Sequence, residues 1–248
     1  MNVLVPIAII LLVSLLLAVL TLRLRRLSGE PALRELAGVA RLNKQTGQAV
    51  ESGSRLHLSL GQGELTEATV VSSVAGLAVL DSLAEESCAS DTPPLVTVGA
   101  GSLLPAGQDS LRAAYQKAGR ARDFWPGDVL FFNHTTTTKI YTAGVASAIH
   151  NTELSSNVLV GRFGPEIVLA TEAAAQKQLE QLIGSDDPAA LAIGSMSSEQ
   201  LLIGEELLAT PTYLQPKPVH QASLMTQDVL RWLVAAALVI AALVGLLA

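Results

Sequence analysis

The sequence predicts an α/β fold in which about five βα units form a parallel sheet, held between one transmembrane helix at each end of the chain. Three observations predict it. Charge-free apolar runs lie at both termini, short apolar strands alternate with helical stretches between them, and glycines end most of these strands. Half of the 248 residues are hydrophobic and only 15% are charged, whereas about a quarter is usual in soluble proteins.

The first apolar run extends over residues 3–22 and carries no charge. At about 1.5 Å of rise per residue, roughly 20 helical residues cross the hydrocarbon core of a bilayer. A cleaved signal peptide is the alternative, but such a peptide has basic residues before its apolar run and a small-residue cleavage site after it. Here Arg23, Arg25 and Arg26 follow the run, which favours a retained transmembrane helix over residues 1–22.

The second apolar run, residues 232–248, is also free of charge; it predicts a transmembrane helix over residues 229–248, with a buried core helix as the alternative. Trp232 suits the membrane interface at its start. Small residues recur at every fourth position, a spacing that lets membrane helices pack closely, although alanine is also simply common in such helices. These candidate helix-packing residues are Ala237, Ala241 and Gly245.

Basic residues flank the central region and are absent from the two outer tails. The positive-inside rule then places both termini outside and the central region in the cytoplasm, with the protein in the inner (plasma) membrane. The flanking residues are Arg23, Arg25, Arg26, Arg34, Lys217 and Arg231.

A basic juxtamembrane segment with a lead-in helix is predicted over residues 23–50, with Pro31 at the first helical position. The apolar stripe of that helix comprises Leu33, Leu36, Ala37 and Ala40. The cytoplasmic α/β domain is predicted over residues 51–210, and Pro211, Pro216 and Pro218 predict an extended linker over residues 211–228.

Strands and helices alternate through the central domain, which predicts a parallel sheet covered on both faces. The predicted strands are 56–60, 95–98, 129–132, 157–160 and 190–193. The predicted helices are 64–86, 107–118, a short helix that ends near His150, 165–182 and 198–209. The last two units resemble each other at an offset of 33 residues, which indicates either repetition of one βα unit or a duplicated binding site.

Small and hydroxyl-bearing residues follow the predicted strands, where open parallel sheets bind their ligands. The candidate ligand-binding residues are Gly61, Gly63, Gly99, Gly101, Ser102, Asn133, His134, Gly161 and Gly194. Glycine lets a ligand approach the backbone and helix N-termini favour anions, so a nucleotide or another phosphate ligand is one hypothesis. The other hypothesis is that tight βα turns need glycine for geometry alone, because no dinucleotide fingerprint or P-loop lysine is completed.

The sequence predicts no catalytic residue, metal site or cofactor. His134 and His150 lack metal-ligand spacing, no G-x-S-x-G elbow is present, and Glu85 and Glu86 near Cys88 disfavour a reactive thiolate. As the single cysteine, Cys88 also permits no internal disulfide. The net charge of −6 argues against a nucleic-acid partner, because binding to phosphates requires a basic surface.

One long stretch, VTVGAGSLLPAGQDSLRAAY at residues 96–115, resembles an uncharacterised family of bacterial membrane proteins that carries a domain of unknown function. The segment GEELLA at 204–209 and the pair Tyr213 and Leu214 extend the resemblance over most of the central region and the terminal helices. The resemblance implies a bacterial membrane setting. It implies no activity and no site residues.

Three functional hypotheses follow. The preferred one is a non-enzymatic, membrane-anchored module that forms homo-oligomers or scaffolds other membrane proteins, with the lipid bilayer as its first partner. The alternative is a sensory module that binds a nucleotide or another small ligand at its glycine-rich strand ends. The third is an enzyme of an unfamiliar class.

Overall fold

A computed structural model of the chain describes residues 4–26, 34–66, 69–133 and 138–247. The chain divides into two compact units. One unit, called here the α/β unit, comprises Glu35–Leu214; the other comprises Met1–Arg34 together with Gln215–Ala248.

The α/β unit contains a six-stranded sheet in the order β3-β2-β1-β4-β5-β6. Its strands are β1 (Arg55–Gly61), β2 (Leu95–Val98), β3 (Val129–Phe131), β4 (Leu154–Arg162), β5 (Glu180–Ser185) and β6 (Leu201–Ile203). Every neighbouring pair is parallel. The predicted α/β class with a parallel sheet is therefore confirmed, with six strands in place of about five. The strand order reverses between β1 and β4, which makes their junction the topological switch point.

The helices of the described segments connect these strands and form the two ends of the chain. They are α1 (Leu4–Arg26), α2 (Ala37–Ser52), α3 (Val70–Ala89), α4 (Leu103–Lys117), α5 (Thr138–Asn151), α6 (Val168–Gln176), α7 (Pro188–Gly194), α8 (Glu205–Leu214) and α9 (Pro218–Leu247). Short 3-10 turns precede β3 at Pro126–Asp128 and α6 at Pro165–Ile167.

Two hydrophobic cores lie on opposite faces of the sheet. Successive strand side chains point to opposite faces, so β4 contributes Val158 and Val160 to the first core and Leu159 to the second. Buried residues of α2, α3, α4 and α8 complete the first core, and those of α5, α6 and α7 complete the second. The apolar strands are thus covered on both faces, as their composition predicts.

The last two predicted βα units are wrong in part, although the predicted strand 157–160 lies within β4. The predicted strand 190–193 lies inside α7, where the side chain of Asp187 accepts hydrogen bonds from the N–H groups of Ala189 and Ala190 and starts a helix. The predicted helix 165–182 runs into β5, and the predicted helix 198–209 contains β6. Short apolar runs do not distinguish a strand from a buried helix by periodicity, and this ambiguity explains the error.

The offset of 33 residues therefore does not mark a structural repeat. Gly161 lies in β4, whereas Gly194 is the last residue of α7. Since matched positions in the two segments belong to different kinds of element, the hypothesis of a duplicated binding site is wrong.

The predicted lead-in helix is part of the α/β unit. α2 starts at Ala37 and buries Val39, Leu42 and Ala49, whereas Ala37 and Ala40 of the predicted stripe are exposed. α2 is capped at its C-terminus by Gly53, which adopts the left-handed conformation and donates its N–H to carbonyl oxygens of the last helical turn. Of the described residues in the predicted apolar stripe, only Leu36 is buried. Pro31 and Leu33 lie outside the described residues.

The predicted extended linker over residues 211–228 is also wrong. Pro211 lies within α8 and Pro218 is the first residue of α9, so the non-helical connection consists of residues 215–217. Proline is compatible with the first turn of a helix, because the N–H groups there have no helical partner.

In the terminal unit, α1 packs against α9. Val13, Leu16, Leu17 and Leu20 of α1 are half-buried at helical spacing, and most of its other described side chains are exposed. Over the part of the chain that the structure describes, one helical segment, Pro218–Val239, is long and apolar enough to cross a membrane, as judged by length and composition. α1 contributes a shorter apolar stretch, Ile10–Arg23.

Candidate functional site

Two glycines at the switch point allow direct contact between the backbones of β1 and β4. Gly61 has φ +76° and Gly161 has φ +144°, values that L residues with a side chain rarely adopt. A Cβ atom on Gly61 would lie closer than 3.0 Å to the backbone of Arg162, and one on Gly161 would lie equally close to Leu60. The close approach of the strands therefore explains both glycines without a ligand.

Hydrogen bonds hold the end of β1 to the ends of both neighbouring strands. The N–H of Gln62 donates to the carbonyl oxygen of Arg162 at 2.9 Å, and the N–H of Gly99 donates to that of Gly61 at 2.8 Å. The register of β1 against β4 also shifts between Ser59 and Gly61. The switch point is thus filled by the protein's own backbone at the level where the strands end.

The other candidate glycines lie in different surroundings. A Cβ atom on Gly63 would meet the hydroxyl of Ser73, and one on Gly99 would meet Gln62 and Tyr141 at 3.0 Å. Gly101 is exposed and has open space around its Cβ position. These positions were predicted as one ligand-binding set, but two of them serve internal packing.

The remaining candidates do not come together at one site. The hydroxyl of Ser102, at the start of α4, faces Glu64, and Asn133 is exposed just beyond β3 at the edge of the sheet. Gly194 is the last residue of α7 and packs against Ile183 of β5, so the prediction that it follows a strand was wrong. His134 lies outside the described residues.

Carboxylates, which the sequence analysis did not select, occupy the carboxyl edge of the sheet. We call Glu64, Glu166, Asp186 and Asp187 the acidic rim; they follow β1, β4 and β5. Each comes within a few residues of a strand-ending glycine or serine, in the segments GQGE, GRFGPE and GSDD. That position after a strand was the signal that could have identified them, had acidic residues been weighed alongside small ones.

Polar partners hold each carboxylate of the acidic rim. Ser102 donates to Glu64, Gln62 donates to Glu166 at 2.9 Å, and Ser72 donates to Asp186 at 2.6 Å. The guanidinium of Arg162 pairs with Asp186 at 3.1 Å and with Asp187 at 3.7 Å. The partners tie the loops after β1, β2, β4 and β5 to one another.

The charge of the acidic rim opposes anionic ligands. Four carboxylates face one guanidinium, so a phosphate approaching this edge would meet like charge. No group of three or more His, Cys, Asp or Glu side chains within the described segments is arranged to hold a metal ion. The edge therefore offers few of the features that nucleotide or metal binding needs.

A second polar cluster lies inside the protein, on the sheet face beneath α5 and α6. We call Thr97, His57, Asn157 and Gln181 the polar ladder, because they follow one another across β2, β1, β4 and β5. His57 lies 2.6 Å from the Oδ1 of Asn157 and 3.0 Å from the hydroxyl of Thr97. Asn157 donates to Gln181 at 3.3 Å.

The polar ladder is uncharged at neutral pH. Burial lowers the pKa of His57 from 6.5 to about 4, and the hydrogen bond to Asn157 offsets only part of that effect. Burial likewise raises the pKa of the neighbouring Tyr141 to about 12. Because His57 is fully buried, its ring cannot exchange protons with a solute bound at the surface.

Cys88 is buried and poorly suited to nucleophilic chemistry. Burial, reinforced by the negative charge of Asp128, raises the pKa of its thiol to about 11. A thiolate is the reactive form, and it is scarce at neutral pH when the pKa is raised. Cys88 is thus a packing residue of the first core.

A shallow groove of about 510 Å³ runs between α5 and α6 on the surface. Its lining includes Ala143, Ser147 and His150 from α5 and Leu169 and Glu172 from α6. His150 is therefore a surface residue of this groove. The groove is apolar, and the structure carries nothing that covers it.

The candidate helix-packing residues lie on α9. Ala237 is exposed, and Ala241 and Gly245 fall within the bounds of the same helix. Close packing through these three positions remains a prediction.

Comparison with known proteins identifies one family. A family model described as a domain of unknown function, DUF6754, matches residues 2–248. No curated protein and no solved structure matches the chain. The predicted membership of an uncharacterised family is confirmed, while its bacterial and membrane nature remains a prediction. The chain belongs to the DUF6754 family, whose domain has no known function.

Proposed function

We propose that this chain is a two-pass membrane protein whose α/β unit lies in the cytoplasm and acts as a self-associating scaffold or a structural component of a membrane assembly. The observation that carries the proposal is the apolar outer surface of the two terminal helices. This surface favours lipid as the surroundings of those helices, and the remaining points concern what the α/β unit can do.

The outward face of α1 carries aliphatic side chains that none of the described residues covers. Ile10, Leu11 and Leu15 are each about two-thirds exposed, at 64%, 65% and 66%. Exposure of apolar surface to water costs about 25 cal/mol per Å², so a continuous face of this kind is favourable in lipid. The 23 residues of α1, at about 1.5 Å each, also match the roughly 30 Å thickness of a hydrocarbon core.

α9 supports the same conclusion. Trp232 is 78% exposed, and Leu238 and Val239 further along the helix are also exposed. A tryptophan at the start of an apolar helical stretch suits the membrane interface. The ion pair between Arg231 and Asp228 lies just before the charge-free stretch that begins at Trp232, inside the candidate span Pro218–Val239.

Charge supports a cytoplasmic location for the α/β unit. Arg23, Arg25 and Arg26 follow the proposed first span, and basic residues at that position favour the cytoplasmic side. Within the α/β unit, acidic residues outnumber basic ones. An anionic membrane surface repels such a domain, which would keep its surfaces available to protein partners.

A scaffold role is favoured by how the strand ends are used. The hydroxyl of Thr97 beside His57 is fully buried, and the glycines of the switch point are accounted for by strand contact. Exposed aliphatic side chains on the helices, such as Val74, Ile140 and Leu208, suit contact with other proteins.

Membrane topology is tested with single cysteines introduced by Asn2→Cys and Ala248→Cys, each labelled on intact cells with a maleimide that does not cross membranes. We expect both to be labelled from outside, while a matched Gln116→Cys variant on the exposed surface of α4 is labelled only after permeabilisation. The native Cys88 is buried and adds little background. Labelling of Gln116→Cys on intact cells, or recovery of the protein in the aqueous fraction, would overturn the topology.

Self-association is tested by light scattering on the full chain in detergent micelles. A discrete oligomer is the expected result. A monomer across a hundredfold range of protein concentration would remove the support for self-association and leave only the role of a scaffold for other proteins, which co-purification from cross-linked membranes then has to show.

A second candidate function is ligand binding at the carboxyl edge, and the strand order favours it, since sheets of this order bind ligands at their switch point. Arg162 would then meet an anion. A thermal-shift screen of the full chain with nucleotides at millimolar concentration decides this candidate, because a ligand of the native state raises its stability. The acidic rim leads us to expect no shift, and a shift that Arg162→Gln abolishes would favour ligand binding instead.

A further inference from the structure

The hydrogen bonds of the polar ladder run in one direction. Asn157 donates its Nδ2–H to Gln181, which leaves its Oδ1 to accept from the Nδ1–H of His57 at 2.6 Å. The Nε2 of His57 then carries no hydrogen and accepts from the hydroxyl of Thr97 at 3.0 Å. The neutral Nδ1–H tautomer of His57 is the form that satisfies both neighbours.

The polar ladder also ties the sheet to the two helices above it. Gln181 donates its Nε2–H to the carbonyl oxygen of Thr171 in α6 at 3.1 Å. At the other end, the hydroxyl of Tyr141 in α5 donates to the carbonyl oxygen of Thr97 at 3.3 Å and shares a hydrogen bond with Ser59 at 2.5 Å. One connected network thus joins four strands to α5 and α6.

We propose that the polar ladder is an acid-sensitive latch, in which uptake of one proton by His57 places an unpaired charge inside the network and loosens the layer formed by α5 and α6 from the sheet. A proton on Nε2 makes both ring nitrogens donors, so the hydroxyl of Thr97 has to turn from donor to acceptor. The imidazolium would also be a buried charge with no counter-ion, a state that favours opening to water.

Among the described residues, no charged group lies beside His57 to stabilise the imidazolium. Within the network, the neighbouring elements present only neutral side chains to it: Thr97 and Ser59, Asn157, Gln181 and the phenol of Tyr141. Arg55 starts the same strand and pairs with Asp128. Apart from Tyr141, the charged or titratable side chains on α5 and α6, which are Lys139, His150 and Glu172, are exposed.

The direction of the pH effect follows from the pKa of His57, which is about 4 in the folded protein against 6.5 ordinarily. Above pH 6.5 the ring is neutral in the closed and the open state, and the latch is fully stable. As the pH falls from 6.5 towards 4, the open state binds a proton that the closed state does not. The closed state therefore loses stability relative to the open state. The equilibrium constant for closing should fall roughly 30-fold by pH 5 and about 160-fold by pH 4, where the closed state also begins to bind the proton.

Hydrogen exchange on the full chain in detergent micelles measures the latch. After correction for the intrinsic effect of pH on exchange, peptides of α5 and α6 should lose about 30-fold in protection between pH 7.5 and 5, and peptides of α3 and α4 should lose much less. His57→Gln should remove this difference. The matched variant His150→Gln changes an exposed histidine of α5 and should keep it.

A second measurement does not depend on a variant that folds. Nitrogen-15 spectra of histidine-labelled wild-type protein report the tautomer and the titration of each ring. We expect one ring as the Nδ1–H tautomer that stays neutral to near pH 4. The latch is overturned if every ring titrates near pH 6.5, if the buried ring is the Nε2–H tautomer, or if α3 and α4 lose protection as much as α5 and α6.

Discussion

Replacing Gly61 with alanine tests whether the glycines at the carboxyl edge serve strand contact or a ligand. In the structure Gly61 has φ +76°, and a Cβ atom there would press on the carbonyl oxygen and the backbone nitrogen of Arg162. Backbone atoms of a central strand cannot rotate away as a side chain could, so β1 and β4 would have to separate at the switch point.

Three costs contribute to the magnitude. A residue with a Cβ atom in the left-handed region costs about 1–2 kcal/mol. Displacement of Gly61 away from β4 also weakens the hydrogen bond from Gln62 to Arg162 at 2.9 Å and distorts the one from Gly99 to Gly61 at 2.8 Å on the β2 side, each of which is worth about 1 kcal/mol net. The sum predicts that Gly61→Ala lowers the free energy of unfolding by about 3–4 kcal/mol, a large part of the roughly 5–15 kcal/mol typical of a domain.

The assay is urea unfolding of the full chain in detergent micelles, read by pulse proteolysis of the α/β unit. With a urea dependence of about 2 kcal/mol per molar, the midpoint should fall by roughly 1.5–2 M. Gly101→Ala is the matched control, because Gly101 is also a strand-end glycine but is exposed, with open space around it. Its midpoint should stay within about 0.3 M of the wild type, as usual for surface changes of about 0.5 kcal/mol or less.

Two results would refute the reasoning. A Gly61→Ala midpoint equal to that of the wild type would show that the strands are not in contact there. Equal destabilisation by Gly61→Ala and Gly101→Ala would show that the two positions do not differ in the way the structure describes.

Three further predictions concern buried and capping groups of the α/β unit. Since the pKa of Cys88 is raised to about 11 by burial, iodoacetamide at pH 8 should modify it only after unfolding, and rapid modification of the native chain in a mass spectrum would contradict its burial. Arg55→Met leaves Asp128 without its ion pair and should cost about 1–3 kcal/mol, part of which Asp128→Asn should restore; a double-mutant cycle in urea that shows no coupling would count against the pair. Asp187→Ala should cost about 1 kcal/mol because it removes the cap of α7, whereas Asp187→Ser should retain most of the stability, and equal urea midpoints for the two variants would argue against capping.

Sequence reasoning succeeded where a local pattern carried the information. β2 was predicted with its observed bounds and β1 and β3 within one residue, because glycine or a change in polarity ends each apolar run. The prediction failed at residues 188–194, because the apolar run ALAI has the composition of a buried strand, although Pro188 and the capping Asp187 start a helix there. It also missed β5, which begins with the polar residues Glu180 and Gln181 and so lacks the apolar run that marks a buried strand.

The sequence predicts the edge of the sheet at which the strand-end glycines lie, but it does not predict the carboxylates beside them. That the ends of parallel strands meet at one edge follows from the fold class, and the structure does bring Gly61 and Gly161 together there. The contact that these glycines make between strands, and the carboxylates that lie beside them, both depend on which strands are neighbours. No local pattern of residues encodes the order of the strands, so no spacing in the sequence could predict the contact between β1 and β4.

By itself, the sequence determined the α/β class, the apolar character of both ends and the positions of the strands nearest the switch point, because periodicity and composition act over a few residues. Only the tertiary structure decided the strand order, the contact between Gly61 and Gly161, and the pairing of His57 with Asn157, which lies 100 residues further along the chain. Those features depend on which distant segments become neighbours when two cores are packed at once, and that is a property of the whole fold.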